Sequence, residues 1–168
     1  MQIYSKTDVG KLRKSNQDAV FTGFLSDNSA LAIVCDGMGG ANAGNVASET
    51  AIKVISKYIE NSYSNKLNRR SLMSLMKNAV ISANIEIYNK ATKSPELSGM
   101  GTTVVLLIVR NGIAFVCHVC DSRAYLVNDK IEQITRDHSV VQTLLESGKL
   151  TEEEAKEQIN KKIKIEHS

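Results

Sequence analysis

The 168-residue chain is 42% hydrophobic and 23% charged, enough apolar material for one globular domain with a core that folds without staples. Its 21 basic and 18 acidic residues give a net charge of +3, with the basic residues dispersed apart from a late KKIK, a balance that argues against a nucleic-acid partner. Three cysteines do not make a disulfide framework, MQIYSKTDVG has neither a basic leader nor an apolar segment, and VVLLIV is too short to span a bilayer; a cytoplasmic protein with no membrane contact is expected.

Read from the N-terminus, NQDAVFTGF (16–24) and ALAIVC (30–35) have the composition of two strands joined by a Ser-Asp-Asn turn. From Asn45 to Ile59 the apolar residues Val46, Ala47, Ala51, Val54, Ile55, Tyr58 and Ile59 recur at helical spacing. Leu72, Met76, Ala79, Val80, Ala83 and Ile87 repeat that pattern in a second helix. KSPELSGMG (93–101) breaks it. TTVVLLIV and IAFVCHV flank Arg110-Asn111-Gly112, which signals a hairpin, and AYLVNDKIEQIT signals another turning at Asn128-Asp129. Ser139–Ser147 reads as a helix stopped by Gly148, and TEEE at 151–154 as a capping box that opens a last one. Strand blocks separated by helix blocks predict an α+β fold with antiparallel sheets.

The first hairpin carries the chemistry. Pairing about Asp27 makes opposed residues sum to 54, so Asp18 faces Asp36. Directly opposed side chains have Cβ atoms roughly 4.5–5.5 Å apart, and like charges so placed repel. Such a pair needs a cation, a shared proton or open water; a bulge separating two surface acids is the other arrangement the sequence allows. Asp36 ends an apolar strand and is followed by Gly-Met-Gly-Gly, which leaves main-chain carbonyls accessible. Oxygen-only ligation suits Mg²⁺ or Mn²⁺, and a pair of such ions is a recurring device for hydrolysing phosphoesters.

TDVGKLRKSNQD (7–18), VCDGMGGANAG (34–44), GMGTT (99–103), CDSRAYL (120–126) and ITRDHSVVQTLLESGKLTEEEA (134–155) resemble, in order, motifs of the metal-dependent protein phosphatases, the PPM or type 2C family in its bacterial form. The resemblance implies two antiparallel sheets packed as a β-sandwich flanked by helices, formed by residues 1–168 as a single domain that lacks the family's C-terminal third. It implies hydrolysis of phosphoserine and phosphothreonine by metal-activated water, without a phosphoenzyme, on phosphorylated proteins and in opposition to a partner serine/threonine kinase. Two Mn²⁺ or Mg²⁺ ions are implied, with a third bound more weakly. Asp18 and Asp36 resemble the metal-bridging acids, Gly37 a carbonyl ligand, Asp121 an acid of the third metal, and Arg13 the arginine that grips the phosphate.

The resemblance also marks departures. Met38 stands where animal relatives have histidine, and Cys120 where the family has glycine. Residues 156–168 do not match the family's later strands, which carry two further metal-binding aspartates; a catalytically impaired relative that only binds phosphoproteins or a kinase is the second reading. His138 is read as orienting a loop, and His118 as a packed or solvated strand residue. Cys117 and Cys120 have half a zinc-site spacing with no second half, and Cys35 reads as buried. The glycine-rich stretch does not meet either nucleotide-binding pattern, while Gly44 opens a helix start that could hold an anion.

Overall fold

The computed structural model describes residues 1–39 and 43–138, with Thr151 and Glu153; the helix expected over 139–147, and the one expected to open at 151 apart from those two residues, fall outside the described residues. In chain order the elements are β1 (Asp18–Phe24), β2 (Ala30–Met38), α1 (Ala43–Ser62), α2 (Arg69–Lys93), a 3₁₀ turn (Pro95–Leu97), β3 (Gly101–Thr102), β4 (Val104–Arg110), β5 (Ile113–Val119), β6 (Tyr125–Val127) and β7 (Ile131–Gln133). The main sheet runs β1-β2-β4-β5, with β3 on the end of β2, and β6-β7 form a second sheet; every pairing is antiparallel.

Period-two alternation decides which way the main sheet faces. Leu31, Ile33 and Cys35 of β2 and Leu106 and Ile108 of β4 are at most 1% exposed and point toward the helices. Ala47, Ala51, Ile55 and Ile59 of α1 meet them at helical spacing, and Leu72, Met76, Ala79 and Ala83 of α2 close the core. Each fully buried Ile or Leu contributes roughly 1.5–3 kcal/mol relative to exposure, so this layer holds α1 against β1 and β2. The alternate residues, Val34 and Asp36 among them, emerge on the opposite face.

Turn chemistry fixes the registers. Asn28 adopts φ 59° in a three-residue loop closed by Asn28 N–H to the Leu25 carbonyl at 2.9 Å. This loop sets the partners Asp18↔Asp36 through Phe24↔Ala30. Asn111 and Gly112, at φ 52° and 75°, make the two-residue turn that pairs Arg110 with Ile113. α2 runs beyond its periodic apolar residues because the Asn68 side chain accepts Ser71 N–H at 2.9 Å, and it stops before Pro95.

Candidate metal centre

The approach to Asp18 is an irregular segment held by short hydrogen bonds. Asn16 Nδ2 donates to Thr7 Oγ1 at 2.7 Å, and Asn16 Oδ1 accepts Asp18 N–H at 3.0 Å. One asparagine thus ties the Arg13-containing loop to the first residue of β1. Across the hairpin Asp18 is the register partner of Asp36, and both side chains are exposed on the face away from the helices.

Electrostatics bring the other candidates to the same place. The Asp36 carboxyl is pushed above its usual value by desolvation, and further by the charge of Asp18 and a hydrogen bond between the two carboxyls. Arg13 pulls it back down, and Asp121 adds a smaller upward push. Arg13, Asp18 and Asp121, separated by up to 108 residues in sequence, therefore act on the one carboxylate of Asp36. Two carboxyls opposed across one strand pair fit a hard divalent cation, whose charge would relieve the repulsion between them. Among the described residues no group of three His, Cys, Asp or Glu side chains is gathered tightly enough to hold a metal by itself.

Backbone packing explains the glycines. Gly37 N–H donates to the Gln17 carbonyl at 3.1 Å, and a Cβ on Gly37 would sit 2.6 Å from that oxygen and collide with the Gly44 carbonyl. Ser48 Oγ donates to the same Gln17 carbonyl at 2.7 Å. Gly44 therefore lets the first turn of α1 touch β2 directly.

Residues that sequence reasoning left without a role hold Asp36 from the other side. Thr103 Oγ1 accepts Asp36 N–H at 2.9 Å, Thr103 N–H reaches the Asp36 carbonyl at 2.9 Å, and Thr102 Oγ1 donates to that carbonyl at 3.0 Å. Their only signal in the sequence was the quoted GMGTT motif. Thr103 Oγ1 also lies 2.6 Å from Ser122 Oγ, beside Asp121.

The turn carrying Asp121 is clamped by the segment from Ile134 to His138. Arg123 makes a two-pronged ion pair with Asp137, its closest N–O distance 2.7 Å. His138 N–H donates to the Cys120 carbonyl at 2.9 Å. His118 Nε2 donates to the Arg136 carbonyl at 2.6 Å, and its ring stacks on that of His138 with centroids 4.4 Å apart. His138 thus fastens a loop, and His118 is packed. Cys117 shares the core-facing register of Leu106, whereas Cys120 lies past the strand at φ 71°, so the two thiols serve different environments. Cys35 is fully buried, and burial pushes its thiol up to about 12.

A family model described as Protein phosphatase 2C matches residues 11–164. The serine/threonine phosphatase stp of Listeria monocytogenes is 36% identical over 164 residues, covering 97% of this chain and 65% of that protein. The serine/threonine protein phosphatase PstP of Mycobacterium tuberculosis is 34% identical over 156 residues, 92% of this chain and 28% of its own length. The crystal structure of the serine/threonine phosphatase Stp1 from Staphylococcus aureus superposes with a TM-score of 0.79 at 37% identity, over 89% of this chain and 58% of that one. The chain thus spans 65% of the length of its Listeria relative. With its five motifs in order, its antiparallel sheets and helices, and a family match over nearly its whole length, it belongs to the protein phosphatase 2C family.

Proposed function

We propose that this chain works as a metal-dependent protein serine/threonine phosphatase, with residues 1–168 folding as one domain and the exposed sheet face at Asp18 and Asp36 as its site. The observation that carries the reading is the opposition of these two carboxylates across the hairpin, with Arg13 acting on the same carboxylate. Asp18 and Asp36 would hold Mn²⁺ or Mg²⁺ between them, with the Gly37 carbonyl as a further oxygen ligand and Asp121 serving a third, weaker site. When bound, the ions supply Lewis acidity to water and to the phosphoryl oxygens.

The chain's own residues do the remaining work. Arg13 offers a planar guanidinium that can grip two phosphoryl oxygens and hold the phosphorus in line for attack. The Thr102–Thr103 bracket fixes the Asp36 backbone, so the carboxylate keeps one position as charge develops. Substrates are phosphoserine and phosphothreonine in proteins, including targets of a partner serine/threonine kinase, in the cytoplasm. No helix among the described residues is long and apolar enough to cross a membrane.

The reading is tested by hydrolysis of a phosphothreonine peptide with Mn²⁺. Asp36→Asn should abolish turnover, and Arg13→Ala should weaken substrate binding by about tenfold or more, a loss of ~1.4 kcal/mol for each factor of ten. Metal-dependent turnover that survives Asp36→Asn would overturn it.

A further inference from the structure

On the helical side of the main sheet, away from Asp18 and Asp36, a groove of about 400 Å³ lies between α1 and the C-terminal half of α2. Val54 and Tyr58, one turn apart on α1, are half-buried and supply its apolar surface. Three cations line it, Lys53 and Lys57 from α1 and Lys90 from α2, against one acid, Glu86.

None of the three lysines has a carboxylate within ion-pair distance among the described residues, where Arg123–Asp137 is the pair formed. Lys53 and Lys57 stand four residues apart on one helix, a spacing at which like charges repel. Lys90 is pre-positioned, its Nζ donating to Thr50 Oγ1 at 3.0 Å with Thr50 buried. Glu49 and Glu60 of α1 do not line the groove. An anion seated here would relieve the repulsion between Lys53 and Lys57 and meet an ammonium already held in place, so less side-chain freedom is lost on binding.

We propose that this groove docks an acidic segment of a partner polypeptide, with one apolar side chain resting on Val54 and Tyr58 and flanking carboxylates on Lys53, Lys57 and Lys90. Charge alone would accept any polyanion; the apolar floor favours a peptide with an aromatic or large aliphatic residue between acids. The proposal rests on the helix pair and not on the phosphatase reading, so either can fail alone.

The test is fluorescence anisotropy of a labelled EEEFEEE peptide on the full chain, with EEEGEEE as comparison. Saturable binding to EEEFEEE is expected, weakened by added salt and reduced about tenfold or more by Lys53→Glu with Lys57→Glu. Tyr58→Ala should erase the preference for phenylalanine over glycine, while Asp36→Asn should leave binding unchanged. Both lysines are exposed, so circular dichroism should report an intact fold in the double variant. No saturable binding up to millimolar peptide would overturn the proposal, as would an equal loss on Lys77→Glu outside the groove. Sedimentation showing a dimer that the double variant dissociates would assign the groove to a second copy instead, and displacement by an oligonucleotide at equal charge would reduce it to a general polyanion site.

Discussion

Thr103 Oγ1 lies 2.6 Å from Ser122 Oγ, and through this contact the strand that brackets Asp36 is tied to the turn that carries Asp121. The same Thr103 oxygen accepts the Asp36 N–H, so one hydroxyl serves two segments of the candidate site. Thr103→Val keeps the shape and removes both bonds, leaving a part-buried N–H and hydroxyl unpaired. A loss of about 1–3 kcal/mol in urea unfolding is expected, against about 1 kcal/mol for Ser122→Ala. Equal stability of Thr103→Val and the parent would remove this link from the account.

Cys120 stands at φ 71°, where a side chain meets the following carbonyl at a cost of roughly 1–2 kcal/mol. Its thiol is pushed up by desolvation and by Asp121, so it is not an activated nucleophile. Cys120→Gly should therefore stabilise the chain by about 1 kcal/mol, and Cys120→Ala, which keeps the Cβ, should not. Thermal unfolding distinguishes them, and a gain from alanine as large as that from glycine would contradict the backbone explanation.

Gly44 sets two effects against each other. Helix propensity favours Gly44→Ala by about 1 kcal/mol, but the added Cβ would sit 2.9 Å from the Gly37 carbonyl carbon and 2.8 Å from Gln17 Cδ. The glutamine side chain can swing aside; the backbone of β2 cannot without moving Asp36. Packing strain of about 1–3 kcal/mol should win, giving a net loss of stability in chemical denaturation. A stabilised Gly44→Ala would show that β2 and α1 have room to separate.

The first hairpin was fully legible because a short turn centred on Asp27 leaves one register, and that register alone opposes Asp18 and Asp36. Both helices were legible from Ala51, Ile55, Ile59 and Met76, Ala79, Ala83, although their polar ends were not, since Asn68 and its cap carry no periodic signal. The bracket around Asp36 was invisible for a different reason. Its hydrogen bond to Thr103 spans 67 residues, and nothing local in GMGTT states which backbone it will meet. The close packing at Gly44 was illegible because its neighbours, Gly37 and Gln17, become neighbours only when β2 folds back onto α1.

Asp137 should govern part of the acid response. Hydrogen bonds from Arg123 hold its carboxyl below the usual aspartate value, despite an opposing desolvation. A carboxyl lowered on folding adds stability above its unfolded value of about 3.9, and that stability is lost as pH falls through the lower folded value. With Arg123 46% exposed, solvent screening limits the pair to about 0.5–1 kcal/mol. Asp137→Asn should cost that much at pH 7 and progressively less as pH falls through the lowered folded value, as read from urea midpoints across pH. A cost that stays constant down to the lowest pH would assign the effect to packing.

Opposed carboxylates on one strand pair make the central claim testable without turnover. Calorimetric titration of the purified chain with Mn²⁺, alongside Asp36→Asn and Asp18→Asn, asks directly whether this pair is a cation site. Saturable binding by the parent, weakened at least tenfold by either variant, is the predicted result. Equal Mn²⁺ binding by all three proteins would place the cation elsewhere and contradict the assignment of Asp18 and Asp36.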